Sequence, residues 1–227
     1  MNTTIDTAEL RIPAGTTRDL IHLFAGDSID LENNHRVIVE EDARLNMWQI
    51  VFCPGKKKCT TEIVLAGRGA SVEHRTIFFQ TGDDHSSIFV TAVNDAPETT
   101  AHLISKGIVQ DRAYTRYNGL IRMTERAGGS EGTLHQNALM LSDTSKIEAI
   151  PGLEIETNDV RAGHSAAMTR VDADQLFYAA SRGIGKEEAI RMIAEGFLKP
   201  LIDTIPNEET REALIAYIES ALVTTPS

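Results

Sequence analysis

Short strand-like segments separated by turn-forming residues occupy the first three quarters of the chain. Apolar and polar positions alternate around these segments, which is the two-residue period of half-buried strands, and β-branched and aromatic residues are frequent in them. The segments span residues 37–39, 47–52, 62–65, 76–79 and 87–90. Gly, Asn, Asp and Pro mark the predicted turns, at residues 33–34, 54–55, 67–69, 82–84 and 128–129. The pattern therefore predicts a mainly β core.

Many short strands with tight turns and no intervening helices are typical of a sandwich, a barrel or a β-solenoid. Periodicity alone does not choose among these three folds. The chain shows no clean repeat of fixed length, which would have favoured a solenoid. The pattern alone leaves the architecture of the β core open.

The pattern becomes helical after Val171. Asp172 followed by Gln175 predicts a helix N-terminus, and Gly183 predicts the end of that helix. Apolar residues recur at helical spacing over 190–201, and a third helix is expected to begin at Asn207. We therefore expect a small, acidic, amphipathic helical region at the C-terminus.

The charge balance limits the classes of partner. The 227 residues include 33 acidic and 22 basic side chains, giving a net charge of −11. A negative field opposes phosphate binding, so nucleic acid and anionic membranes are not expected partners, and a basic protein surface suits the chain better. The chain begins without a basic, apolar signal segment, contains no membrane-length apolar run, and has only two cysteines. These features predict a cytoplasmic protein.

A series of short strings from residue 150 to residue 197 resembles the SufB/SufD family, the non-ATPase scaffold subunits of iron–sulfur cluster assembly. The family reads P-x-L-E-I, D-V-x-C-S-H-G-A, D-x-x-x-L-F-Y, S-R-G-I and G-F in that order. The corresponding strings here are PGLEI, DVRAGHSAA, DQLFY, SRGI and GF, preceded by QNALMLSD, at 151–155, 159–167, 174–178, 181–184, 196–197 and 136–143. Several uncommon strings in one order are more specific than any single motif.

The resemblance implies a fold, partners and a division of the chain. It implies a right-handed parallel β-helix over residues 1–171 and a helical region over 172–227 that docks a SufC-like ABC-type ATPase. A SufB-like subunit, or a second copy of this chain, would be the other partner. The expected role is that of a scaffold and not of an enzyme.

His164 is the candidate cluster ligand, because it matches the histidine of the family's D-V-x-C-S-H-G-A string. An imidazole can bind iron, and its partner ligands would come from another chain or another turn of the fold. Ala162 stands where the family has a cysteine, and thiolate is the preferred cluster ligand. The resemblance therefore implies a SufD-like chain and a cluster bound transiently at a subunit interface, with none held by this chain alone. The alternative is that His164 is a turn histidine that bonds a backbone carbonyl.

The strings in the helical region carry the candidate partner-binding residues, which are Phe177, Tyr178, Arg182, Gly183 and Phe197. By resemblance they would contact the ATPase. The alternative assigns the aromatic residues to packing of the helices onto the β core, and we favour it for Phe177, while we assign Arg182 to both roles. Under that alternative Arg182 and Gly183 form the helix end.

Other candidate chemistry is weaker. The pair Cys53 and Cys59 flanks Pro-Gly and three lysines, so it reads either as reactive thiols or as a solvated basic turn between two strands, and we favour the turn. The remaining histidines show no local metal-binding spacing and are expected at the surface or in turns, although a stacked turn of the fold would bring His74 and His85 together. Two further functions stay open. One is a β-solenoid enzyme acting on carbohydrate or acyl groups, for which residues 83–85 are the densest cluster; the other is a degenerate family member without cluster chemistry.

Overall fold

The computed structural model describes residues 3–24, 31–52 and 54–223. Over these residues the chain forms twelve strands followed by three helices. The elements are β1 (Thr3–Ile12), β2 (Thr17–Phe24), β3 (Leu31–Val39), β4 (Arg44–Val51), β5 (Lys56–Leu65), β6 (Ser71–Gln80), β7 (His85–Asn94), β8 (Thr100–Val109), β9 (Tyr114–Met123), β10 (Ser130–Met140), β11 (Lys146–Ile155), β12 (Val160–Arg170), α1 (Ala173–Ser181), α2 (Lys186–Ile202) and α3 (Glu208–Val223).

The strands alternate between two parallel sheets. The odd-numbered strands form sheet A, in the order β1-β3-β5-β7-β9-β11, and the even-numbered strands form sheet B, in the order β12-β10-β8-β6-β4-β2. Because the chain crosses from one sheet to the other at each connection, it winds as a parallel β-solenoid. The mainly β solenoid with a C-terminal helical region, expected from the family resemblance, is confirmed.

The length of one turn varies along the solenoid. In sheet A, 26 residues separate Leu31 from its partner Lys57, whereas 32 residues separate Tyr114 from its partner Lys146. Most of the extra residues lie in the connections between strands, so the repeat length drifts along the chain. This drift explains why the sequence shows no fixed period.

Alternate residues of each strand fill the space between the sheets. In β7 the burial pattern alternates strictly between buried and half-buried or exposed positions. The interior cluster combines both sheets and contains Met47, Ile63, Ile88, Leu103 and Leu134, all fully buried. Burial of these apolar side chains is the main favourable term in the stability of the solenoid.

At one corner of the solenoid, residues with positive φ stack in a column, one from each turn. The residue with positive φ in each successive turn donates its backbone N–H to a carbonyl of the next turn, as Gly15 does to Glu41 and Asp42 does to Arg68. The column continues through Gly69, Glu98 and Gly129. Since the left-handed region favours Gly and tolerates Asp, the glycines predicted as turn residues at this corner have a backbone reason for being there.

The helices α2 and α3 pack on the outer face of sheet B. Their buried residues share a second apolar cluster with the outward side chains of four strands, and that cluster includes Trp48, Ile77, Ile108, Leu139 and Leu198. The indole Nε1 of Trp48 donates to Thr204 Oγ1 at 2.9 Å. The helices therefore complete a core, and none of the described ones is long and apolar enough to span a membrane.

The predicted helix boundaries agree with the structure. Asp172 caps α1 by accepting from the Asp174 N–H at 2.9 Å, and Gly183, with φ of 81°, follows its C-terminus. Asn207 caps α3 by accepting from the Thr210 N–H at 2.7 Å. The turn predicted at residues 33–34 is wrong, because both residues lie within β3.

Candidate functional site

The C-terminal end of the solenoid presents two strand edges. β11 pairs only with β9, and β12 pairs only with β10, so within the described residues the outer edge of each strand has no strand partner. β12 is eleven residues long and contains no proline. A long edge of this kind offers backbone donors and acceptors to another strand.

His164 lies at this open end, in the row of side chains that point between the sheets. Its register partner in β10 is Leu134, which is fully buried, and Leu134 is in turn paired with the buried Leu103 in β8. His164 is exposed because no further turn covers it. The alternative that His164 is a turn histidine is wrong, since it sits in the middle of β12.

The side chains around His164 at the open end are small or apolar. On β12, Ala162, Ala166 and Met168 share the inward row with His164, because they pair with Gly132, Gln136 and Ala138 in β10. Met168 is 44% exposed, and Ile155 on β11 is 47% exposed. The open end is therefore an apolar surface that carries one imidazole.

The geometry also bears on how a metal or cluster would be held. No group of three or more His, Cys, Asp or Glu residues in the described part of the chain is placed to hold a metal ion. At the open end His164 has no cysteine beside it on β12, where Ala162 occupies the inward position two residues earlier. A cluster at His164 would therefore need ligands from a second chain.

A second candidate surface lies on α1 and α2. Phe177 is 77% exposed and Tyr178 is 62% exposed, so the assignment of Phe177 to core packing is wrong. Next to them an apolar groove of about 470 Å³ runs between the two helices, lined by Tyr178, Ile184 and Met192 among others. We call Phe177, Tyr178, Met192 and this groove the helical groove surface.

The other predicted partner-binding residues divide between this surface and the core. The guanidinium of Arg182 lies 5.4 Å from the ring centroid of Tyr178 and lines the groove, and Gly183 ends α1 beside it. Phe197 instead packs half-buried against the α2–sheet B cluster. Lys106 Nζ donates to the Phe197 carbonyl at 3.0 Å and lies over its ring. Phe197 therefore joins α2 to sheet B and is not part of the helical groove surface.

The segment around the cysteine pair is not the solvated turn that we favoured. Cys53 lies outside the described residues, but β5 begins at Lys56, and Cys59 is buried within it. Lys57 is also buried, and its Nζ donates to Gln80 Oε1 at 2.6 Å and lies 3.8 Å from Asp84 Oδ2. Only the Pro-Gly step keeps its predicted role as a turn.

Residues 83–85 are engaged in structural contacts. Asp83 forms a two-point ion pair with Arg112, and Asp84 accepts backbone N–H bonds from Gly55 and Thr81. His85 begins β7 on the outer face of sheet A, whereas His74 is fully buried on the inner face of sheet B. The two histidines are thus not brought together, and both carboxylates have structural partners.

Three histidines that we expected at the surface or in turns lie inside the solenoid. His74 is fully buried, and neither ring nitrogen has a hydrogen-bond partner. His22 and His35 face each other with ring centroids 4.0 Å apart. Burial lowers the pKa of His74 to about 3, with His22 and Arg75 adding to the effect. Burial likewise lowers the pKa of His22 to about 4, and that of His35 below its usual range.

Sequence reasoning missed these histidines although a signal was present. His74 has the same parity as the apolar Val72 and Phe78 in β6, and His22 the same parity as Leu20 and Phe24 in β2. Positions of one parity in a strand face the same side of the sheet. The alternation therefore indicated that both histidines point toward the core.

Replacing His74 with leucine is expected to stabilise the chain by about 1–3 kcal/mol, because a buried polar group without a partner carries an unrecovered desolvation cost. Leucine already occupies the neighbouring inward position, since Leu103 in β8 is the register partner of His74. Between pH 6.5 and about 3 the unfolded chain binds a proton at His74 that the folded chain does not. Stability should therefore fall with decreasing pH in this window, and His74→Leu should make the slope shallower by up to about 1.4 kcal/mol per pH unit.

Urea unfolding of both proteins between pH 4 and pH 8 measures this. The exposed His135 supplies the control, since His135→Gln should leave the pH slope unchanged. A His74→Leu chain that is less stable than wild type at pH 7 would contradict the prediction and would indicate a bonded role for the imidazole.

The comparisons with known proteins identify the family of this chain. Residues 21–197, from β2 to α2, match the family described as SUF system FeS cluster assembly, SufBD core domain. The iron-sulfur cluster assembly protein SufD of Bacillus subtilis (strain 168) is 32% identical over 155 residues, which cover 68% of this chain and 36% of that protein.

Mycobacterial relatives extend the match. An iron-sulfur cluster assembly SufBD family protein of Mycobacterium leprae (strain TN) is 29% identical over 217 residues, 92% of this chain and 53% of the relative. One from Mycobacterium tuberculosis (strain ATCC 25618 / H37Rv) is 30% identical over 148 residues, 65% of this chain and 18% of the relative. The chain spans about half the length, or less, of these relatives. It belongs to the SufBD core family of the SUF iron–sulfur cluster assembly system, with a SufD-like character.

Proposed function

We propose that this chain is a non-enzymatic, cytoplasmic scaffold subunit of a SUF-type iron–sulfur cluster assembly complex. In this role it pairs through the open end of its solenoid with a SufB-like subunit or a second copy of itself. It also docks a SufC-like ABC ATPase through its C-terminal helices, residues 172–227. The observation that carries the proposal is the combination, at one end of the fold, of two strand edges and an inward-facing histidine.

The open end favours pairing with another strand-bearing surface. A solenoid end with no cap leaves apolar inward positions in water, and Met168 and Ile155 are such positions here. A partner that adds a strand to β12 would satisfy the free edge and cover these side chains together. His164 would then be enclosed at the interface between the two chains.

An enclosed His164 would serve as one ligand of a nascent cluster. The cluster is the cargo of the complex, and thiolates from the partner would supply its remaining ligands, since Ala162 cannot. The imidazole would hold or release iron as the two chains approach or separate. Such coupling requires contacts at the interface that differ between the two states.

ATPase docking is supported by the helical groove surface. Aromatic side chains that stand exposed beside a rigid groove are the usual anchors of protein interfaces. The groove is supported from below by Ala189 and Ile193, which face the packed side of α2. The surface can therefore bind a partner without rearrangement of the core.

Replacing His164 with alanine is expected to lower cluster yield at least tenfold in a complex reconstituted with a SufB-like subunit and a SufC-like ATPase. The reason is that one cluster ligand is lost while the strand edge of β12 is kept. Iron and sulfide content, together with the visible absorbance of the reconstituted complex, measures the yield. Complex formation, followed by size-exclusion chromatography, should be unchanged.

The neighbouring Ser165 supplies a matched control. Its hydroxyl contacts His135 on the outer face of sheet B at 2.8 Å, so Ser165→Ala alters the same strand on the opposite face. Its cluster yield should equal that of wild type. Equal yields for His164→Ala and wild type would remove His164 from the mechanism.

A degenerate scaffold without cluster chemistry is the second candidate, and Ala162 is the observation that favours it. Such a chain would still dock the ATPase and pair through its open end. It would differ because replacing His164 would not change the cluster yield with any partner. The experiment above separates the two candidates.

A further inference from the structure

The opposite end of the solenoid interior contains imidazoles that cluster assembly at the open end does not use. His22 lies in β2, which is the terminal strand of sheet B, and His35 lies in β3 of sheet A. Their rings are in contact, with centroids 4.0 Å apart and planes inclined by 41°. More than 100 residues of sequence separate this pair from His164.

The pair is held across the interior by the register of the strands. His22 pairs with Gln49 along sheet B, and His35 pairs with Thr61 along sheet A. Gln49 and Thr61 themselves meet across the interior, where Thr61 Oγ1 lies 3.4 Å from Gln49 Oε1. The two rings thus face each other in the same way as Gln49 and Thr61, the residues with which they pair in the next turn of the solenoid.

We propose that His22 and His35 bind one divalent first-row transition metal ion between the two sheets. Neutral imidazole is a preferred ligand of Zn²⁺ and Cu²⁺, and one nitrogen from each of two neighbouring rings can bind the same ion. This site is independent of the proposed scaffold function.

The surroundings of the pair favour a bound ion over a purely structural contact. The His22 Nδ1 is buried without a hydrogen-bond partner, and so is the Asn33 Oδ1 on the same inward face as His35. Unpartnered buried nitrogen and oxygen atoms call for a ligand, because leaving them unpaired is costly. Both rings are half-buried, and within the described residues β2, which carries His22, has no further strand of sheet B beyond it.

Nearby positive charge does not exclude a cation at this position. The groups facing the pair from the adjacent turn are the neutral Gln49 and Thr61. Arg36, the nearest cation along β3, points to the outer face of sheet A, where it pairs with Glu9 and Glu62. A divalent ion therefore meets no cationic side chain among these neighbours.

The test uses the tag-free, metal-free chain with Zn²⁺ and Cu²⁺ as probes. Calorimetric titration with Zn²⁺ should give one equivalent per chain, and the Cu²⁺ complex should give an electron paramagnetic resonance spectrum with coupling to two nitrogens. His22→Gln and His35→Thr install the residue that occupies the same row one turn later, so each variant keeps a side chain that the solenoid accommodates. Each should weaken Zn²⁺ binding at least tenfold, and the spectrum should lose one nitrogen coupling.

His135→Gln, at an exposed outer-face histidine, is the matched control and should bind like wild type. Absence of a one-equivalent Zn²⁺ isotherm in the wild-type chain would overturn the proposal. Unchanged binding in both interior variants would overturn it as well. Circular dichroism of each variant confirms that any loss is not unfolding, and His35→Asn provides a second substitution if His35→Thr does not fold.

Discussion

Replacing Asp84 with alanine is expected to destabilise the chain by about 3–5 kcal/mol, one of the largest effects of a single substitution here. Asp84 accepts from the backbone N–H groups of Gly55 and Thr81 at 2.7 and 3.1 Å, and so joins two connections of the solenoid. Its carboxylate also lies 3.8 Å from Lys57 Nζ, whose side chain is fully buried. Removing it leaves a buried charge without its counter-ion.

The adjacent Asp83 is the matched control. It pairs with Arg112 at 2.7 Å, but both side chains are more than two-thirds exposed, so Asp83→Ala should destabilise the chain far less than Asp84→Ala. Urea unfolding of the two variants measures the difference. The double variant Asp84→Ala, Lys57→Met should recover part of the loss, because it removes the buried charge as well. Equal stabilities of the Asp83 and Asp84 variants would contradict the network.

Replacing both Phe177 and Tyr178 with serine is expected to weaken binding to a SufC-like ATPase at least a hundredfold while leaving the stability of the chain unchanged. Exposed aromatic residues at the centre of an interface typically cost about 2 kcal/mol or more each when truncated. The same residues contribute little to folding, since both are more than three-fifths exposed. Size-exclusion chromatography of the mixed proteins and calorimetric titration measure the binding.

Substitution is a sharper test of docking than truncation. Deleting residues 172–227 would also remove α2 and α3 and expose Trp48, Ile77 and the rest of the outer apolar cluster of sheet B, so loss of binding would not be separable from misfolding. Phe197→Ala is the complementary control. Because Phe197 packs against the core, this replacement should lower the free energy of unfolding. Retained ATPase binding by the double serine variant would move the docking surface away from α1.

The sequence predicted the elements of the fold better than their arrangement. The five predicted strand segments fall within β3 to β7 except for residue 52, which follows β4, and both ends of α1 and the start of α3 agree with the expected residues. Local signals determine these features, since strand alternation and helix caps are properties of neighbouring residues. The pairing of odd with odd and even with even strands is a long-range property. Because the solenoid turns differ in length, no fixed sequence period indicates this pairing.

The structure shows where the predicted site residues lie, and their roles stay predictions. The matching strings identified the segment around His164, but the reason for its exposure is the end of the solenoid, which no string records. Phe177 was assigned to packing because an apolar aromatic residue in a helix usually faces a core. No residue of α1 is buried, so its apolar side chains are left for another surface.

The run of three lysines concealed a buried charge. Lys57 has the parity of Cys59 and Thr61, which are buried in β5, but a basic Pro-Gly segment reads first as a turn. Only the structure shows that Asp84 and Gln80, from the next turn of the solenoid, lie beside Lys57. Burial of a lysine depends on partners that are distant in sequence, and composition cannot supply them.

The short junction between β12 and α1 has a mechanical consequence. Only Val171 and Asp172 separate the last strand from the first helix, so a force applied to α1 reaches β12 with almost no slack in between. Pulling along the strand would load all the bonds between β12 and β10 in shear at once, whereas pulling outward would peel them in succession from Arg170. If the proposed ATPase partner pulls on α1, the direction of the pull would therefore decide whether β12 moves as one unit or separates from β10 one bond at a time.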